Sequence, residues 1–362
     1  MVILKLIAII SFFIYSFSLV FFLLGLFRFK RDTLKTKINN LSTTVVVAAR
    51  NEEKNLDKLI KSLINQTVDT EIIIVNDRST DGTERILKKY PEIKYFNIKE
   101  IAKGISPKKN ALRKGISEAT GDVIFLTDAD CIPSHSWIET MIGYFKNYTG
   151  VVSGLSYLNE KNILHKIMNL EYFALSICTA GAIGWNFPVI STGNNLAYRK
   201  KAFKEAKGFD DILYIDSGDD DLMVQKISKN TDWKFSFAFN SKSFVETEPV
   251  SNLKEFVNQR RRWASRGLDY NLSIKIPLIL IYLFYLLILF LPIYIILIPS
   301  FFGLLLKLFL ISAGMEVLLL GVGLFRIKKM KYLLLYPVAK ILHIPYIAIM
   351  PALGILRGFK WK

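Results

Sequence analysis

The chain has 362 residues, 51% of them hydrophobic, and its 48 lysines and arginines against 31 aspartates and glutamates give a formal net charge of +17. Residues 1–40 and 271–362 hold 16 of the basic residues and only two acids, Asp32 and Glu316, so they carry +14 of that charge and leave the 230 residues between them nearly balanced. A balanced middle removes the main support for a nucleic-acid-binding protein, and two cysteines, Cys131 and Cys178, are too few for a disulfide framework and agree with a reducing compartment.

The first element is an apolar run, residues 2–27, whose only charge is Lys5. It is too long for a signal-peptide core and lacks a small-residue cleavage site before "RFKRDTLKTK", so residues 1–28 read as an uncleaved transmembrane anchor. Basic clusters at 28–37 and 326–331 flank the apolar segments, and the positive-inside rule puts both clusters, and the domain between them, on the cytoplasmic side.

From Thr43 onward, β-rich runs alternate with helical patterns. "TTVVVAA" is followed by a helix from about Glu53, "EIIIVND" by a helix from about Ser79, and the basic helical stretch 108–117 by a third strand, "DVIFLTD". That alternation predicts βαβ units and an open α/β sheet, in which the loops at the carboxyl ends of the strands line the ligand crevice. All three runs end in polar residues: Arg50-Asn51-Glu52, Asn76-Asp77-Arg78 and Asp128-Ala129-Asp130. Ser79 and Asp81 suit helix caps whatever the ligand, whereas Asp77, placed where an apolar strand stops, points to binding. Asp128 and Asp130, at i and i+2, would face one side of an extended segment as hard oxygen ligands for Mg2+ or Mn2+, although an acidic turn without a ligand is the simpler reading of the tripeptide alone.

Further along, residues 162–177 show helical periodicity with a mixed face, which suits a membrane surface or the core. "STGNNLAYRK" offers Gly193 for close backbone approach and Asn194 or Asn195 for sugar hydroxyls, with local turn chemistry an equal explanation. "SGDDDLMVQK" sets Asp219, Asp220 and Asp221 side by side at the expected start of a helix, where a helix N-terminus stabilises acids. "QRRRWASRG" joins a guanidinium fork to an indole face; a basic juxtamembrane helix touching anionic lipid is its plainer reading, and lipid contact is expected for some of Arg260, Arg261 and Arg266. Two spans are predicted over 276–298 and 302–325. A last apolar segment, 333–356, is interrupted by Lys340, His343 and three prolines and is expected to be interfacial or re-entrant. Glu316 falls near mid-membrane, either as a functional carboxylate or as one paired within the bundle.

In this order, between membrane segments, the motifs resemble those of the family 2 inverting glycosyltransferases, from about Thr44 to Gly267. The resemblance implies an α/β, GT-A (Rossmann-like) cytoplasmic domain over 41–270, with a C-terminal membrane region of two to three spans over 274–358. "VVVAARNEEKNL" resembles the first strand and nucleoside loop, which implies donor contacts for Ala49, Arg50 and Glu52. "VNDRSTDGT" resembles the second-strand motif and gives Asp77 the same role, with Asn76 replacing the more usual first acid. "KKNALRKGI" is similar to the basic helix near the pyrophosphate and implicates Lys108, and "TDAD" matches the metal motif, Asp128 and Asp130. "GDDDL" resembles the motif that supplies the catalytic base, with Asp220 preferred and Asp219 next, Asp221 fitting the first helical turn. "QRRRW" fits the Gln-x-x-Arg-Trp pattern of membrane-bound members and assigns Gln259, Arg262 and Trp263, together with Gly193 and Asn194, to the acceptor and diphosphate.

What the resemblance implies about function is a multi-pass protein of the inner or plasma membrane that uses Mg2+ or Mn2+. It would move a sugar with inversion from a nucleotide-sugar, a UDP-sugar being the expected donor, to a glycan or lipid acceptor hydroxyl in contact with membrane lipids. A polyprenyl-phosphate sugar transferase is the alternative, and a transporter or noncatalytic scaffold leaves the ordered polar motifs unexplained.

Overall fold

The structure is a computed structural model that describes residues 2–29, 41–250, 252–265, 267 and 269–357. Arg266, most of the 28–37 basic cluster and the "RGFKWK" tail beyond Arg357 lie outside the described residues. The chain forms two compact units, one of Met1–Leu26, Glu160–Ile177 and Val250–Trp361, the other of Phe27–Asn159 and Cys178–Pro249.

The first helix, α1 (Val2–Phe27), belongs to the former unit. In the latter, β1 (Thr43–Ala49) and β2 (Glu71–Asp77) coincide with "TTVVVAA" and "EIIIVND", where runs of valine and isoleucine, stiff at χ1, fit a pleated surface. Both strands are almost wholly buried, as expected of central parallel strands covered on both faces. Between them, α2 (Leu56–Ile64) buries Leu56, Leu59, Ile60 and Leu63, one helical stripe. The next helix, α3 (Thr83–Leu87), starts four residues later than Ser79, because residues 79–82 are engaged with the loop after β1. The edge strand β3 (Lys94–Ile98) has no buried residue and carries a charge, so it lacks the apolar run that reveals its neighbours.

Helix α4 (Pro107–Glu118) precedes β4 (Val123–Leu126), the strand expected from "DVIFLTD". A Cβ on Gly115 would come 2.4 Å from Val46 Cγ1, so glycine at that point lets α4 lie close on β1. The chain continues through β5 (Cys131–Pro133), α5 (Trp137–Ile142), β6 (Thr149–Gly154), β7 (Ser156–Leu158), α6 (Ile163–Gly184), β8 (Leu196–Arg199), α7 (Lys200–Glu205), α8 (Asp221–Asn230), β9 (Lys234–Ala238) and β10 (Val245–Thr247). Seven strands form a sheet in the order β3-β2-β1-β4-β8-β6-β9, and β5-β10-β7 form a second. From β3 to β4 the pairing is parallel, and β8 runs antiparallel to both β4 and β6. The chain winds outward from β1 to β2 and β3 and then returns to β4 on the other side of β1. Ligands of open α/β sheets bind outside the carboxyl ends of the strands at such a switch.

The other unit contains α1, the first part of α6, and the helices α9 (Leu253–Ser265), α10 (Leu272–Leu289), α11 (Leu291–Leu297), α12 (Pro299–Arg326) and α13 (Tyr336–Arg357). Among the described residues, five helical segments are long and apolar enough to cross a membrane: Val2–Phe27, Ile163–Gly184, Leu272–Leu289, Pro299–Arg326 and Met330–Gly354. The last of them is a continuous candidate span where the sequence suggested an interfacial or re-entrant segment. Pro345 and Pro351 sit inside α13 without ending it. The predicted 276–298 span divides into α10 and α11 at Phe290, with Pro292 in the first turn of α11, where a missing N–H costs little.

Candidate active site

The loops after β1 and β2 are fastened to each other. Asn51, in the left-handed region at φ 55°, donates its N–H to Ser79 Oγ at 2.9 Å and accepts Thr80 N–H on Oδ1 at 2.8 Å. Glu53 N–H donates to Asp81 Oδ2 at 3.1 Å, and Gly82 N–H donates to Glu53 Oε2 at 3.0 Å. Of the residues expected to touch the donor, Ala49 is the buried last residue of β1, and Arg50 follows it. Asp77 is buried at the end of β2, held by Arg78 Nε at 2.8 Å and Nη2 at 3.2 Å, with Arg50 Nη1 at 3.9 Å. Glu52 is also buried; its N–H donates to Thr83 Oγ1, and its Oε2 accepts Asn55 Nδ2 at 2.8 Å. Arg78 was missed in the sequence, although a basic residue directly after a buried strand-end acid is the signal that marks it.

A second cluster forms where β4 ends. Thr127 and Ala129 are buried, while Asp128 and Asp130 on either side of Ala129 remain partly accessible, with the Asp128 side chain 38% exposed. Lys108 in the first turn of α4 places Nζ 2.7 Å from Asp128 Oδ1 and 2.9 Å from Asp219 Oδ2. The sheet therefore brings together two acids 91 positions apart in sequence through one ammonium group. Burial pushes the Lys108 pKa down, but Asp128 and Asp219 outweigh it and hold the ammonium well above the ordinary lysine range.

The three adjacent acids are divided among three tasks. Asp219 faces Lys108. Asp220 is the N-cap of α8: its Oδ1 accepts Asp221 N–H at 2.8 Å, and its Oδ2 accepts Gly193 N–H at 3.0 Å. Asp221 is buried and accepts Ser191 N–H at 2.6 Å. A Cβ on Gly193 would lie 3.1 Å from Asp220 Oδ2 and 3.3 Å from Asp219 Oδ2, so glycine keeps this loop against both carboxylates. Asn194 accepts Ser156 Oγ–H at 2.8 Å. Asn195 is fully buried; its Nδ2 donates to the carbonyls of Leu155 and Ser243, and its Oδ1 accepts Trp137 Nε1–H. Of the two asparagines offered for sugar hydroxyls, Asn195 is therefore committed to the core.

Gln259, Arg262 and Trp263 lie on α9, in the unit that holds the terminal helices. Within that unit, Arg260 is fully buried rather than facing lipid. Its guanidinium carbon stands 4.1 Å from the Trp263 ring centre, 5.0 Å from Phe256, and 5.8 Å from both Tyr172 and Tyr346, while Nη2 lies 2.8 Å from Glu171 Oε2. Trp263 also packs edge-on to Tyr172 at 5.9 Å between ring centres. The signal for Arg260 is its spacing: three and four positions from Trp263 and Phe256 respectively place both aromatic rings beside it on the helix.

The geometry of this sheet and its acidic loops can be set beside known proteins. Residues 44–207 match the family model described as Glycosyl transferase family 2. The matched stretch runs from β1 through α7, and so includes the strand-end acids Asp77, Asp128 and Asp130 but neither the 219–221 triplet nor α9. Among curated proteins, the probable glycosyltransferase YdaM of Bacillus subtilis is 30% identical over 243 residues, 63% of this chain and 55% of that protein. The 4,4'-diaponeurosporenoate glycosyltransferase of Staphylococcus aureus (strain N315) is 31% identical over 121 residues, 32% of each. The chain thus spans about half the length of the first relative and about a third of the second. Among solved structures, a mannosyltransferase from Pyrobaculum calidifontis in complex with GDP-Man and Mn2+ aligns with a TM-score of 0.55 and 15% identity, covering 93% of this chain and 99% of that one. That likeness shows a shared fold, the mixed α/β, Rossmann-like GT-A type.

Proposed function

We propose that the chain is a membrane-bound inverting glycosyltransferase that moves a sugar from a nucleotide-sugar, with UDP-sugars the first donors to test, to a hydroxyl of a glycan or lipid acceptor. The observation that carries this reading is the Lys108 bridge from Asp128 to Asp219 beside the β1/β4 switch. It joins a strand-end acid suited to the donor side to the acidic helix start suited to the acceptor side. The family match over 44–207 supports the same chemistry.

Asp128 and Asp130 fit a divalent cation: they supply hard oxygen donors from a partly open loop. Among the described residues no cluster of three or more His, Cys, Asp and Glu side chains gathers for a metal, so phosphate oxygens and water would supply the other ligands, as is usual for Mg2+. When bound, Mg2+ or Mn2+ supplies neutralisation of the diphosphate. Lys108 adds fixed positive charge toward that leaving group. Asp77 and Arg50, with Ala49 and Glu52, line the donor side at the ends of β1 and β2.

Asp220 is the base of this reaction. Asp219 already faces an ammonium group, whereas Asp220 is less buried and is oriented by the Gly193 and Asp221 N–H groups. As the acceptor oxygen attacks the anomeric carbon, the bond from that carbon to the diphosphate oxygen breaks and the hydroxyl proton passes to Asp220. Gly193 and Asn194 belong to the acceptor side. Gln259, Arg262 and Trp263 complete the reading on the acceptor and diphosphate side, a role carried by their motif alone. The candidate spans Val2–Phe27, Leu272–Leu289, Pro299–Arg326 and Met330–Gly354 and the basic clusters at 28–37 and 326–331 support a multi-pass protein with its sheet domain in the cytoplasm.

The test is nucleotide release by full-length protein in lipid nanodiscs, with UDP- and GDP-sugars, lipid extracts including polyprenyl phosphates, and Mg2+ or Mn2+ followed by chelator. Release that requires metal is expected, and Asp130→Asn should weaken metal-dependent donor binding by at least about 10-fold. Folded protein that releases nucleotide from no donor under any of these conditions overturns the reading.

A further inference from the structure

Two lysines open α4, at the end of a helix where the macrodipole disfavours positive charge, so both need compensating partners. Lys108 finds carboxylates. Lys109 finds backbone: it is fully buried, and Nζ donates to the carbonyls of Ile212 at 2.8 Å, Ile215 at 2.5 Å and Ser217 at 2.7 Å. Ser106, one turn earlier, donates its N–H to Leu213 O at 2.9 Å and its hydroxyl to Asp216 O at 3.3 Å. Five of the six carbonyls from Ile212 to Ser217 are therefore held by Ser106 and Lys109. Beyond Ser217 the chain turns at Gly218 (φ 84°) and delivers Asp219, Asp220 and Asp221.

A buried ammonium is costly unless all of its donors are used, and three converging carbonyls use all three. Methionine at this position would fill similar volume but remove the donor from all three carbonyls, of which Ile212 O keeps the Ile215 N–H at 3.2 Å, and the planar fork of arginine does not match their convergence. Segment 212–217 has only one turn of 3-10 helix, Asp210–Ile212, and no strand pairing of its own. Besides the local bonds of Ile212 N–H to Phe209 O and Ile215 N–H to Ile212 O and the buried Leu213 side chain, these five bonds hold its backbone to α4.

We infer that Lys109 is a positioning residue for the acidic triplet, mooring the 212–217 segment so that Asp219 meets Lys108 and Asp220 meets the Gly193 N–H. The first turn of α4 then fixes the triplet twice, with Lys108 at a carboxylate and Lys109 at the backbone leading into it. This inference rests on the proposed function for its catalytic consequence, but its structural consequence can be measured without any turnover.

The experiment uses full-length wild type, Lys109→Met and Lys109→Arg in nanodiscs, with hydrogen exchange over peptides spanning 209–221, calorimetric binding of the active nucleotide-sugar, and nucleotide-release kinetics. Lys109→Met should accelerate exchange in 209–221 by at least about 10-fold while peptides from β1, β2 and β4 stay at wild-type rates. It should also lower kcat by about 10²-fold with donor Kd within about 3-fold, because the acids are misplaced while the donor-side loops are intact. Lys109→Arg should restore neither exchange nor kcat. Wild-type exchange in 209–221, or kcat within about 3-fold of wild type in Lys109→Met, overturns the inference. If the methionine variant does not fold, Lys109→Gln, which keeps two donors, is read by the same criteria. An inactive wild type would refute the proposed function, and the exchange result would still decide the mooring.

Discussion

Two lysine–carboxylate clusters, one in each unit, use the same chemical groups to opposite ends. In the sheet domain, Lys108 meets Asp128 and Asp219 at 2.7 and 2.9 Å, and Asp128 remains substantially exposed at the carboxyl end of a parallel strand. In the helical unit, Lys340 meets Glu316 at 2.5 Å, and both carboxylate oxygens are taken: Oε1 also accepts Tyr15 O–H at 2.8 Å, Oε2 accepts Tyr336 O–H at 2.9 Å, and Lys340 also donates to the Tyr285 hydroxyl oxygen at 2.8 Å. The Tyr15 and Tyr285 hydroxyls are 3.0 Å apart. This closed cluster ties α1, α10, α12 and α13 into one network inside an apolar bundle. An accessible carboxylate such as Asp128 leaves room for a ligand, whereas a closed one holds helices together, and Glu316 is paired within the bundle, the second of its two sequence readings.

The contrast predicts its own tests. The largest effect should come from the open cluster's neighbour: Asp220→Asn is expected to lower transfer by about 10² to 10⁴-fold while donor binding is retained. Equal loss of donor binding and turnover would show that Asp220 serves the donor instead. In the closed cluster, Glu316→Leu should leave Lys340 buried without its carboxylate and destabilise the helical unit by about 3 to 5 kcal/mol, read as a lower unfolding midpoint in lipid. The double substitution Glu316→Leu/Lys340→Leu should regain most of that loss. Lost transfer with unchanged stability would instead make Glu316 functional.

The smallest effect concerns a third carboxylate, Glu71, which is closed like Glu316 but sits at the amino end of β2. It accepts Thr44 Oγ1–H at 2.6 Å, Thr120 N–H at 2.7 Å and Thr120 Oγ1–H at 2.9 Å, and it pairs with Lys94 at 2.6 Å. Burial pushes its carboxyl up, but Lys94 and the threonine donors outweigh burial and hold the pKa at about 2. A depressed carboxylate stabilises the fold above its unfolded pKa of about 4.3, and that contribution is lost as pH falls from there through about 2. Glu71→Gln should therefore cost up to about 3 kcal/mol at neutral pH and flatten the stability profile between those values. An unchanged acid profile would mean that Lys94 and the threonines do not hold the ionised form.

The parts of this architecture that were legible in the sequence are those where one physical pattern dominates. Uninterrupted β-branched runs gave β1 and β2 their boundaries, because a strand buried on both faces has no room for polar residues. β3 escaped because an edge strand can be partly polar on both faces, and α3 began late because residues 79–82 are bonded to backbone N–H groups and side chains of the β1 loop. Among the site residues, acids at strand ends were visible as polar stops in apolar runs. Lys109 was not distinguished from Lys108, and the burial of Asn195 was unmarked, because what each does depends on groups far away in sequence, whereas Arg260 carried a local signal in Phe256 and Trp263.

By itself the sequence determined the α/β alternation, the apolar helices at both ends, and the presence of polar groups where three strands stop. These follow from local periodicity and charge, which a chain carries before it folds. Only the tertiary structure decided how Asp219, Asp220 and Asp221 divide their work, because adjacent, chemically identical carboxylates differ only in what the fold brings to each: an ammonium for the first, a glycine N–H for the second and a buried loop amide for the third.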